Sequence, residues 1–249
     1  MTHPRSWHVE HACLNAWPAL SNVLHDGWVV RLADGLSKRA NSANPLHAGA
    51  HIPGATLQYF ENLFGQHELP LIVRVPSLLD PAVDKGLEQF GFDALGESRV
   101  LFGAIDPDIA QPDPAVEITE VADQDWCDAS NAMQGRSEIH SDVYDDIIAS
   151  IVLPAGFAWL AEEGEVVALA YGAIDGDMLV CESVITAEKH RGRGLGRRLM
   201  SSLFHWARRN EATVACLQVE AANTPAQALY RHLGIGTELH RYHYRRRPG

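Results

Sequence analysis

The chain has 249 residues, of which 46% are hydrophobic and 21% are charged. Such a composition is typical of a globular protein with enough apolar residues for one large domain or two smaller ones. The formal net charge of -12 argues against general nucleic-acid binding, which needs many Lys and Arg side chains to neutralise phosphates. No apolar run approaches the roughly 20 residues that span a bilayer, and the N-terminal sequence does not have the pattern of a signal peptide. We therefore expect partners that are neither nucleic acids nor membranes.

Cysteine and histidine usage argues against a metal centre and against a disulfide framework. The four cysteines, Cys13, Cys127, Cys181 and Cys216, form no CxxC pair, and the last two lie in apolar runs typical of buried strands. The 13 histidines show no spacing that is typical of metal ligands. Because buried free thiols are typical of a reducing compartment, we predict a cytoplasmic protein without a bound metal.

The first part of the chain is predicted to contain five regular elements. They are strands at residues 27–33, 69–75 and 99–105 and helices at residues 55–64 and 83–90. His3, His8 and His11 lie near a terminus that is expected to be loose. An unusually polar stretch, Lys-Arg-Ala-Asn-Ser-Ala-Asn-Pro at residues 38–45, separates the first strand from the first helix.

Residues 106–114 mark the clearest boundary in the chain. They contain three prolines and three aspartates, which cannot continue a helix or a central strand. The sequence therefore predicts a linker at residues 107–114 between a first part, residues 1–106, and a second part, residues 115–249.

The second part has a more regular pattern of hairpins and helices. Strands are predicted at residues 116–121, 157–161, 165–174, 178–186, 214–219 and 238–245, and helices at residues 123–133, 138–151 and 225–233 and from Leu195 onward. Glu163-Gly164 and Asp175-Gly176 are typical hairpin turns, and Asp123 is a predicted helix N-cap. The first part resembles an incomplete copy of this order, which suggests an internal duplication.

The most informative segment is the loop between the strand that ends at Thr186 and the helix that begins near Leu195. Gly192, Gly194 and Gly196 let the backbone turn sharply and leave its N–H groups uncovered. These N–H groups and the positive end of the helix dipole form a site suited to a phosphate or pyrophosphate. Further positive charge comes from the arginines of the segment, which are Arg191, Arg193, Arg197 and Arg198.

Three classes of phosphate-binding loop compete for this segment. A P-loop requires Gly-Lys-Ser/Thr after the turn, and that motif is missing. A dinucleotide site requires GxGxxG rather than the GxGxG found here, although Glu220 ends the next strand where a ribose-binding acid is expected. The antiparallel hairpins before the loop argue against a doubly wound sheet, but the nicotinamide-binding alternative stays open.

The third class fits best, because the segment resembles the acetyl-CoA signature of the GNAT family of N-acetyltransferases. Arg191, Gly194 and Gly196 match the family pattern Q/R-x-x-G-x-G/A. Residues 223–235 are similar to a second family pattern, Asn-x-x-A-x-x-Leu-Tyr-x-x-x-Gly-Phe, and the resemblance covers about residues 115–247. It implies an α/β fold with a central, mixed and mostly antiparallel sheet flanked by helices, here with a second, degenerate GNAT-like half.

The resemblance also implies a function, the transfer of an acetyl group from acetyl-CoA to a primary amine. The acceptor is a small molecule or a peptide, and neither its identity nor the oligomeric state of the protein follows from the sequence. The alternative is an acetyl-CoA-binding sensor or structural module without transfer activity. Residues 38–45 resemble a stretch of two-part acetyltransferases; their side chains either face the acceptor or form a hydrogen-bonded turn. The first part has no cofactor loop, so we expect it to be catalytically silent.

The resemblance assigns the cofactor-binding residues. The pyrophosphate is expected on the backbone N–H groups of the loop, formed by Gly192, Arg193, Gly194, Leu195, Gly196 and Arg197 beside Arg191. The pantetheine arm is expected to pair with Val184, Ile185 and Thr186 like an added strand. Asn223 and Tyr230 are expected to approach the far arm of the cofactor. The sheet should splay open between residues 178–186 and residues 214–219 to make room for it.

Two catalytic residues are predicted. Tyr230, by its family position, is the candidate donor of a proton to the departing thiolate; packing of the ring is the alternative. Glu182 is a carboxylate in an apolar strand, where desolvation favours a base, and strict alternation would put it on one face with Val184 and Thr186. The alternatives for Glu182 are a structural pair with an arginine and a water chain that replaces a dedicated base.

The end of the chain offers further candidates. His240, Tyr242 and Tyr244 are predicted to share one face of the last strand, where they border the acceptor pocket or simply pack. The basic residues 245–247 are expected to form a solvated end.

Overall fold

Seven α-helices and eleven strands are present in residues 3–247, the part of the chain that the structure, a computed structural model, describes. The helices are α1 (Ser6–Ala16), α2 (Gly54–Gln66), α3 (Pro81–Gln89), α4 (Gln124–Gln134), α5 (Glu138–Ala149), α6 (Leu195–Arg209) and α7 (Thr224–His232). The strands are β1 (Ser21–His25), β2 (Trp28–Leu32), β3 (Ser42–Pro45), β4 (Ile72–Pro76), β5 (Asp93–Ala104), β6 (Val116–Thr119), β7 (Ala155–Glu162), β8 (Glu165–Asp175), β9 (Met178–Thr186), β10 (Val214–Glu220) and β11 (Thr237–Arg246). The predicted elements are confirmed within a few residues, whereas α1, β1 and β3 were not predicted.

Short polar residues fix where several helices begin. The side chain of Asp123 accepts a hydrogen bond from the N–H of Trp126, which confirms the predicted N-cap of α4. Asp80 caps α3 and Ser137 caps α5 in the same way. Gly135 ends α4 in the left-handed region at φ 61°, where glycine has no Cβ to strain.

All eleven strands form one sheet in the order β1-β2-β3-β4-β11-β5-β10-β9-β8-β7-β6. The last strand of the second part, β11, lies between β4 and β5 and pairs antiparallel with both. The last strand of the first part, β5, in turn pairs antiparallel with β10. The sheet thus runs unbroken across the predicted boundary between residues 1–106 and residues 115–249. The division into these two domains stays a prediction, and residues 1–2 and 248–249, at its outer ends, lie outside the described residues.

The two parts repeat one strand arrangement. In the second part an antiparallel pair, β8 with β9, is followed by a parallel pair, β9 with β10. In the first part β2 pairs antiparallel with β3, and β3 pairs parallel with β4. A single helix connects each parallel pair, α6 in the second part and α2 in the first. This repetition supports an internal duplication in which the two halves exchange their last strands.

Helices cover both faces of the sheet. One face packs against α1, α4 and α5, and the opposite face of the second part packs against α6 and α7. The apolar stripe of α6 is buried, with Leu195, Leu199 and Leu203 facing β7, β8 and β9. Gly156 lets α6 come close, because a Cβ at this position would lie 2.8 Å from the ring of Trp206.

The N-terminal residues, which were expected to be loose, form a buried helix instead. Val9, Ala12 and Ala16 of α1 are completely buried, and α1 contacts β8, β9 and β10. The prediction was wrong because the buried side of α1 also carries Ser6 and Glu10, so it shows no continuous apolar stripe.

Glu10 is the centre of a buried ionic cluster that joins α1 to β4 and β11. Its Oε1 lies 2.8 Å from Nη2 of Arg74 on β4 and 2.5 Å from Nε2 of His240 on β11. The Arg74 guanidinium also lies 3.5 Å from the ring centre of Tyr242. Burial alone would raise the pKa of Glu10, but Arg74 and His240 lower it to about 2.

The basic end of the chain is solvated only in part: Arg246 and Arg247 are exposed as predicted, whereas Arg245 is not. Arg245 is buried; its Nε lies 2.7 Å from Oδ1 of Asp84, and its Nη1 donates to the carbonyl of Phe92 at 3.0 Å. The prediction failed because β11 is an interior strand of the sheet, which the sequence alone does not reveal. His240, Tyr242 and Tyr244 are all buried on β11, as the packing alternative requires.

Glu10→Gln is expected to lower the free energy of unfolding by about 3–5 kcal/mol at neutral pH, because it leaves Arg74 buried without its carboxylate. The folded-state pKa of about 2 lies below the ordinary value of 4.5. The contribution of Glu10 is therefore complete above pH 4.5 and is lost as the pH falls through about 2. Urea denaturation at several pH values measures both effects. Glu165→Gln, which removes an exposed partner of Lys189, is the control and should change stability little; equal effects of the two variants would contradict the account.

Candidate functional site

The predicted glycine loop opens directly onto the first turn of α6. Gly192 and Gly194 adopt φ angles of 77° and 78°, in the left-handed region that favours glycine. Gly194 is the N-cap of α6 and has no side chain to satisfy the first N–H groups of the helix. The loop thus presents free backbone donors at the positive end of a helix, which is the geometry of an anion site.

Gly196 brings the two family motifs together. A Cβ at this position would lie 3.3 Å from Cδ2 of Leu229 on α7 and 3.5 Å from Oγ1 of Thr186 at the end of β9. The start of α6, the end of β9 and the middle of α7 therefore meet around one residue without a side chain.

The four arginines of the loop have different partners. Arg193 lies 2.9 Å from Glu162, and Nε of Arg198 lies 2.6 Å from Asp113, so both are neutralised by carboxylates of the protein. The hydrogen bond from Arg198 lowers the pKa of Asp113. Arg191 and Arg197 are exposed and form no ion pair within residues 3–247. These two side chains carry the positive charge available to a ligand.

The sheet opens where the resemblance implied that it would. The parallel pairing of β9 with β10 runs from Met178 opposite Val214 to Cys181 opposite Leu217 and then stops. Both strands continue, β9 to Thr186 and β10 to Glu220, without pairing to each other. The expected splay is confirmed, and it leaves this edge of β9 free to pair with a ligand.

A β-bulge in β9 changes which side chains face the opening. Tyr171 of β8 pairs with Glu182 and Leu169 pairs with Ile185, so β9 has one residue more than β8 between these pairs. Ser183 in the bulge adopts φ 49°, which a non-glycine residue rarely does. The prediction that Glu182 shares a face with Val184 and Thr186 is therefore wrong. Glu182 lies on the face of Tyr171 and Ile185, which packs towards α1, and Val184 lies on the α6 face.

Glu182 is held by an arginine from the first part of the chain. It is only 4% exposed, and both of its oxygens lie 2.7 Å from Nη1 of Arg39. The Arg39 guanidinium stacks 4.5 Å from the ring centre of Trp17. Burial alone would lower the pKa of Arg39, but Glu182 raises it well above its ordinary value. The predicted arginine pair of Glu182 thus exists, and its partner lies in the polar stretch at residues 38–45.

The rest of that polar stretch forms a hydrogen-bonded turn. The side chain of Asn41 accepts from the N–H groups of Ala33 and Gly35 and donates to the carbonyls of Ala33 and Ser37. The amide of Asn44 donates to Ser42, and both are buried in β3. The turn alternative is therefore realised for most of this stretch, and Arg39 extends from the turn to β9.

Tyr144 supports the bulge from α5, a contact that the sequence did not indicate. Its hydroxyl lies 3.2 Å from Oγ of Ser183 and accepts a hydrogen bond from Ser130 at 3.0 Å. The guanidinium of Arg136 lies 3.6 Å from the ring centre of Tyr144. Burial raises the pKa of the Tyr144 hydroxyl, so it stays protonated.

The two predicted residues around α7 have well-defined structural environments. Tyr230 is 7% exposed and packs in the cluster between α6, α7 and the sheet. Burial, together with Cys181 and Glu182, raises its pKa well above the ordinary value. Asn223 is the N-cap of α7, and its Oδ1 accepts from the N–H of Ala226 at 3.1 Å.

All four cysteines lie within residues 3–247, the described range, and all four are free. The two cysteines predicted to be buried, Cys181 and Cys216, are buried free thiols, and so are the other two. In this described range no three His, Cys, Asp or Glu side chains are grouped so that they could hold a metal ion. None of the described helices combines the length and the apolar character that a membrane crossing needs.

Comparisons with known proteins agree with the geometry. A family model described as "Probable histone acetyltransferase Rv0428c C-terminal" matches residues 6–245. The uncharacterized N-acetyltransferase YobR of Bacillus subtilis is 24% identical over 242 residues, which are 95% of this chain and 96% of YobR. The probable histone acetyltransferase Rv0428c of Mycobacterium tuberculosis is 28% identical over 236 residues, 93% of this chain and 71% of Rv0428c.

Solved structures show the same fold. A GCN5-related N-acetyltransferase from Kribbella flavida superposes with a TM-score of 0.73 at 20% identity, covering 98% of this chain and 96% of its own. A tandem GNAT protein from the clavulanic acid biosynthesis pathway superposes with a TM-score of 0.64 at 13% identity, covering 82% and 74%. The predicted fold class, a GNAT fold with a second GNAT-like half, is confirmed.

Proposed function

We propose that this chain, which belongs to the Rv0428c-type family of GNAT acetyltransferases and is an acyltransferase, moves an acetyl group from acetyl-CoA to a primary amine. One observation carries the proposal. The glycine loop at the start of α6 lies directly beside the place where β9 and β10 part. A ligand that combines a pyrophosphate with an extended arm can use both features at once.

The proposed cofactor site follows from these two features. The pyrophosphate binds the backbone N–H groups of residues 192–197, where Arg191 and Arg197 add unpaired positive charge. The pantetheine arm pairs with residues 184–186, the edge of β9 that β10 leaves free. Asn223 begins α7 and Tyr230 lies inside it, on the far side of the opening. A cytoplasmic location stays a prediction that fits this substrate and the free thiols.

Tyr230 is the proposed donor of the proton that the departing thiolate needs. Because burial raises its pKa above the ordinary value, the phenol is protonated at neutral pH. A phenol of ordinary pKa about 10 is already a weaker acid than a thiol of pKa about 8.5, so donation depends on proximity rather than acidity.

Glu182 is the proposed group at the acceptor amine. It follows Cys181, the last residue of β9 that pairs with β10, lies immediately before the bulge and faces the α1 side of the sheet. Both of its oxygens accept from Arg39, which holds the carboxylate in place. In the proposed reaction Glu182 attracts the ammonium and receives the amine proton, directly or through water.

Calorimetric titration with acetyl-CoA tests the cofactor site. The double variant Arg191→Ala/Gly194→Asp is expected to weaken binding by about 100-fold or more, since it removes a charge-assisted contact and adds a carboxylate to the anion site. Arg208→Ala/Gly86→Asp changes the same residue types on α6 and α3, where Arg208 is exposed and a Cβ on Gly86 would have no atom within 4 Å, and it should bind like the unmodified protein. If the unmodified protein does not bind acetyl-CoA, the proposal is refuted. If Arg191→Ala/Gly194→Asp binds acetyl-CoA as tightly as the unmodified protein, the cofactor does not bind at this loop.

Tyr230→Phe tests the proton donor. With a good acceptor it should lower kcat by about 100-fold, in the range of general acid catalysis, and leave the KM for acetyl-CoA nearly unchanged. Tyr59→Phe is the matched control on an exposed tyrosine of α2. Steady-state release of the CoA thiol measures both. Unchanged turnover in Tyr230→Phe would contradict the proposed proton donation and would leave packing as the role of Tyr230.

A further inference from the structure

The α1 side of the opening has more positive than negative charge. Within the described residues, 3–247, Arg31 and Arg39 lie there with a single carboxylate, Glu182, although the chain as a whole has a net charge of -12. Arg31 is 3% exposed, and its N–H groups donate to the carbonyls of Leu14, Trp17 and Arg39. Burial and repulsion from Arg39 lower the pKa of Arg31 to about 10, so it is still charged at neutral pH.

Arg31 forms no ion pair within residues 3–247, so its charge is balanced only through space by Glu182. Glu10, the next buried carboxylate, is already shared by Arg74 and His240. An anionic group that enters beside Glu182 would therefore complete the local charge balance.

Arg39 has the donors to bind such a group. Glu182 takes only its Nη1, and no other side-chain hydrogen bond of Arg39 is formed with the described residues. The side chain is 27% exposed, and its guanidinium lies over the Trp17 ring, 4.5 Å from the ring centre, which restricts its movement. Nε and Nη2 thus form an edge with fixed geometry that matches a carboxylate.

We infer that the acceptor is an amino acid, whose carboxylate binds the free edge of Arg39 while its amino group faces Glu182. The inference rests on the proposed acetyl transfer and names the substrate class of that same site. Because Arg39 and Glu182 touch at 2.7 Å, they fit a ligand whose positive and negative groups are only a few bonds apart. A simple alkylamine or a lysine side chain within a protein has no carboxylate at that distance.

The transfer itself leaves the carboxylate unchanged. The ammonium first loses a proton to Glu182 or to water, and the neutral nitrogen then forms a bond to the acetyl carbon while the carbon–sulfur bond of the thioester breaks. The nitrogen gives up a second proton to reach the amide, the thiolate gains one from Tyr230, and the second nitrogen proton restores the phenol through water. One proton is released overall.

Thiol release with a panel of amino acids and the matching amino-acid amides tests the inference. The acids should be preferred by about 10- to 100-fold in kcat/KM, the value of a hydrogen-bonded charge pair. Arg39→Lys, which keeps the charge but loses the fork, should lower kcat/KM for the acids much more than for the amides and so remove this preference, chiefly through the KM for the acids. Arg5→Lys is the matched control, since Arg5 forms a bidentate pair with Asp177 away from the opening.

The possible outcomes separate the inference from the proposed function. Equal use of acids and amides would overturn the inference but not the proposed function. The same holds if the preference survives in Arg39→Lys and in the charge-free double variant Arg39→Gln/Glu182→Gln. If no amine consumes acetyl-CoA, the proposed function fails, and calorimetry with N-acetylated amino acids in the presence of CoA decides the inference. Binding that Arg39→Lys weakens by about tenfold would support it, and absent or unchanged binding would overturn it.

Discussion

Glu10 of α1 lies buried between Arg74 of β4 and His240 of β11, at the place where the last strand of the second part enters the first. Three elements that are distant in sequence therefore share one carboxylate. An ion that is buried this deeply is tolerated only with both partners in place, so the cluster favours the exchanged arrangement of strands over independent halves. The position of α1, and with it Trp17 at its C-terminal end, depends on this contact.

The exchange explains how a part without a cofactor loop contributes to the site. With β11 and β5 in the middle of the sheet, the polar stretch of the first part comes to lie over the end of β9. Arg39 then reaches Glu182 at the point where β9 and β10 separate. The first part is expected to be silent in chemistry, but it supplies the cation beside the proposed acceptor position.

Local sequence signals predicted the turns of the glycine loop and the N-cap of α4 well. The left-handed turns at residues 192 and 194 require glycine, and Asp123 caps α4, so a few residues determine each of these structures. The acceptor side depends on contacts between distant residues and was predicted only as alternatives. Ser183 gives no sign of its left-handed bulge, because a serine is compatible with a regular strand. Arg245 is likewise buried because of the strand order, which no short motif encodes.

The central claim is that the free edge of β9 and the loop at α6 receive one ligand. Amide hydrogen exchange with and without acetyl-CoA measures this most directly, because it reports each backbone N–H separately. The account predicts that exchange slows at residues 184–186 and 192–197 together when acetyl-CoA is added. Slower exchange only at another surface, or no change at either segment, would contradict it.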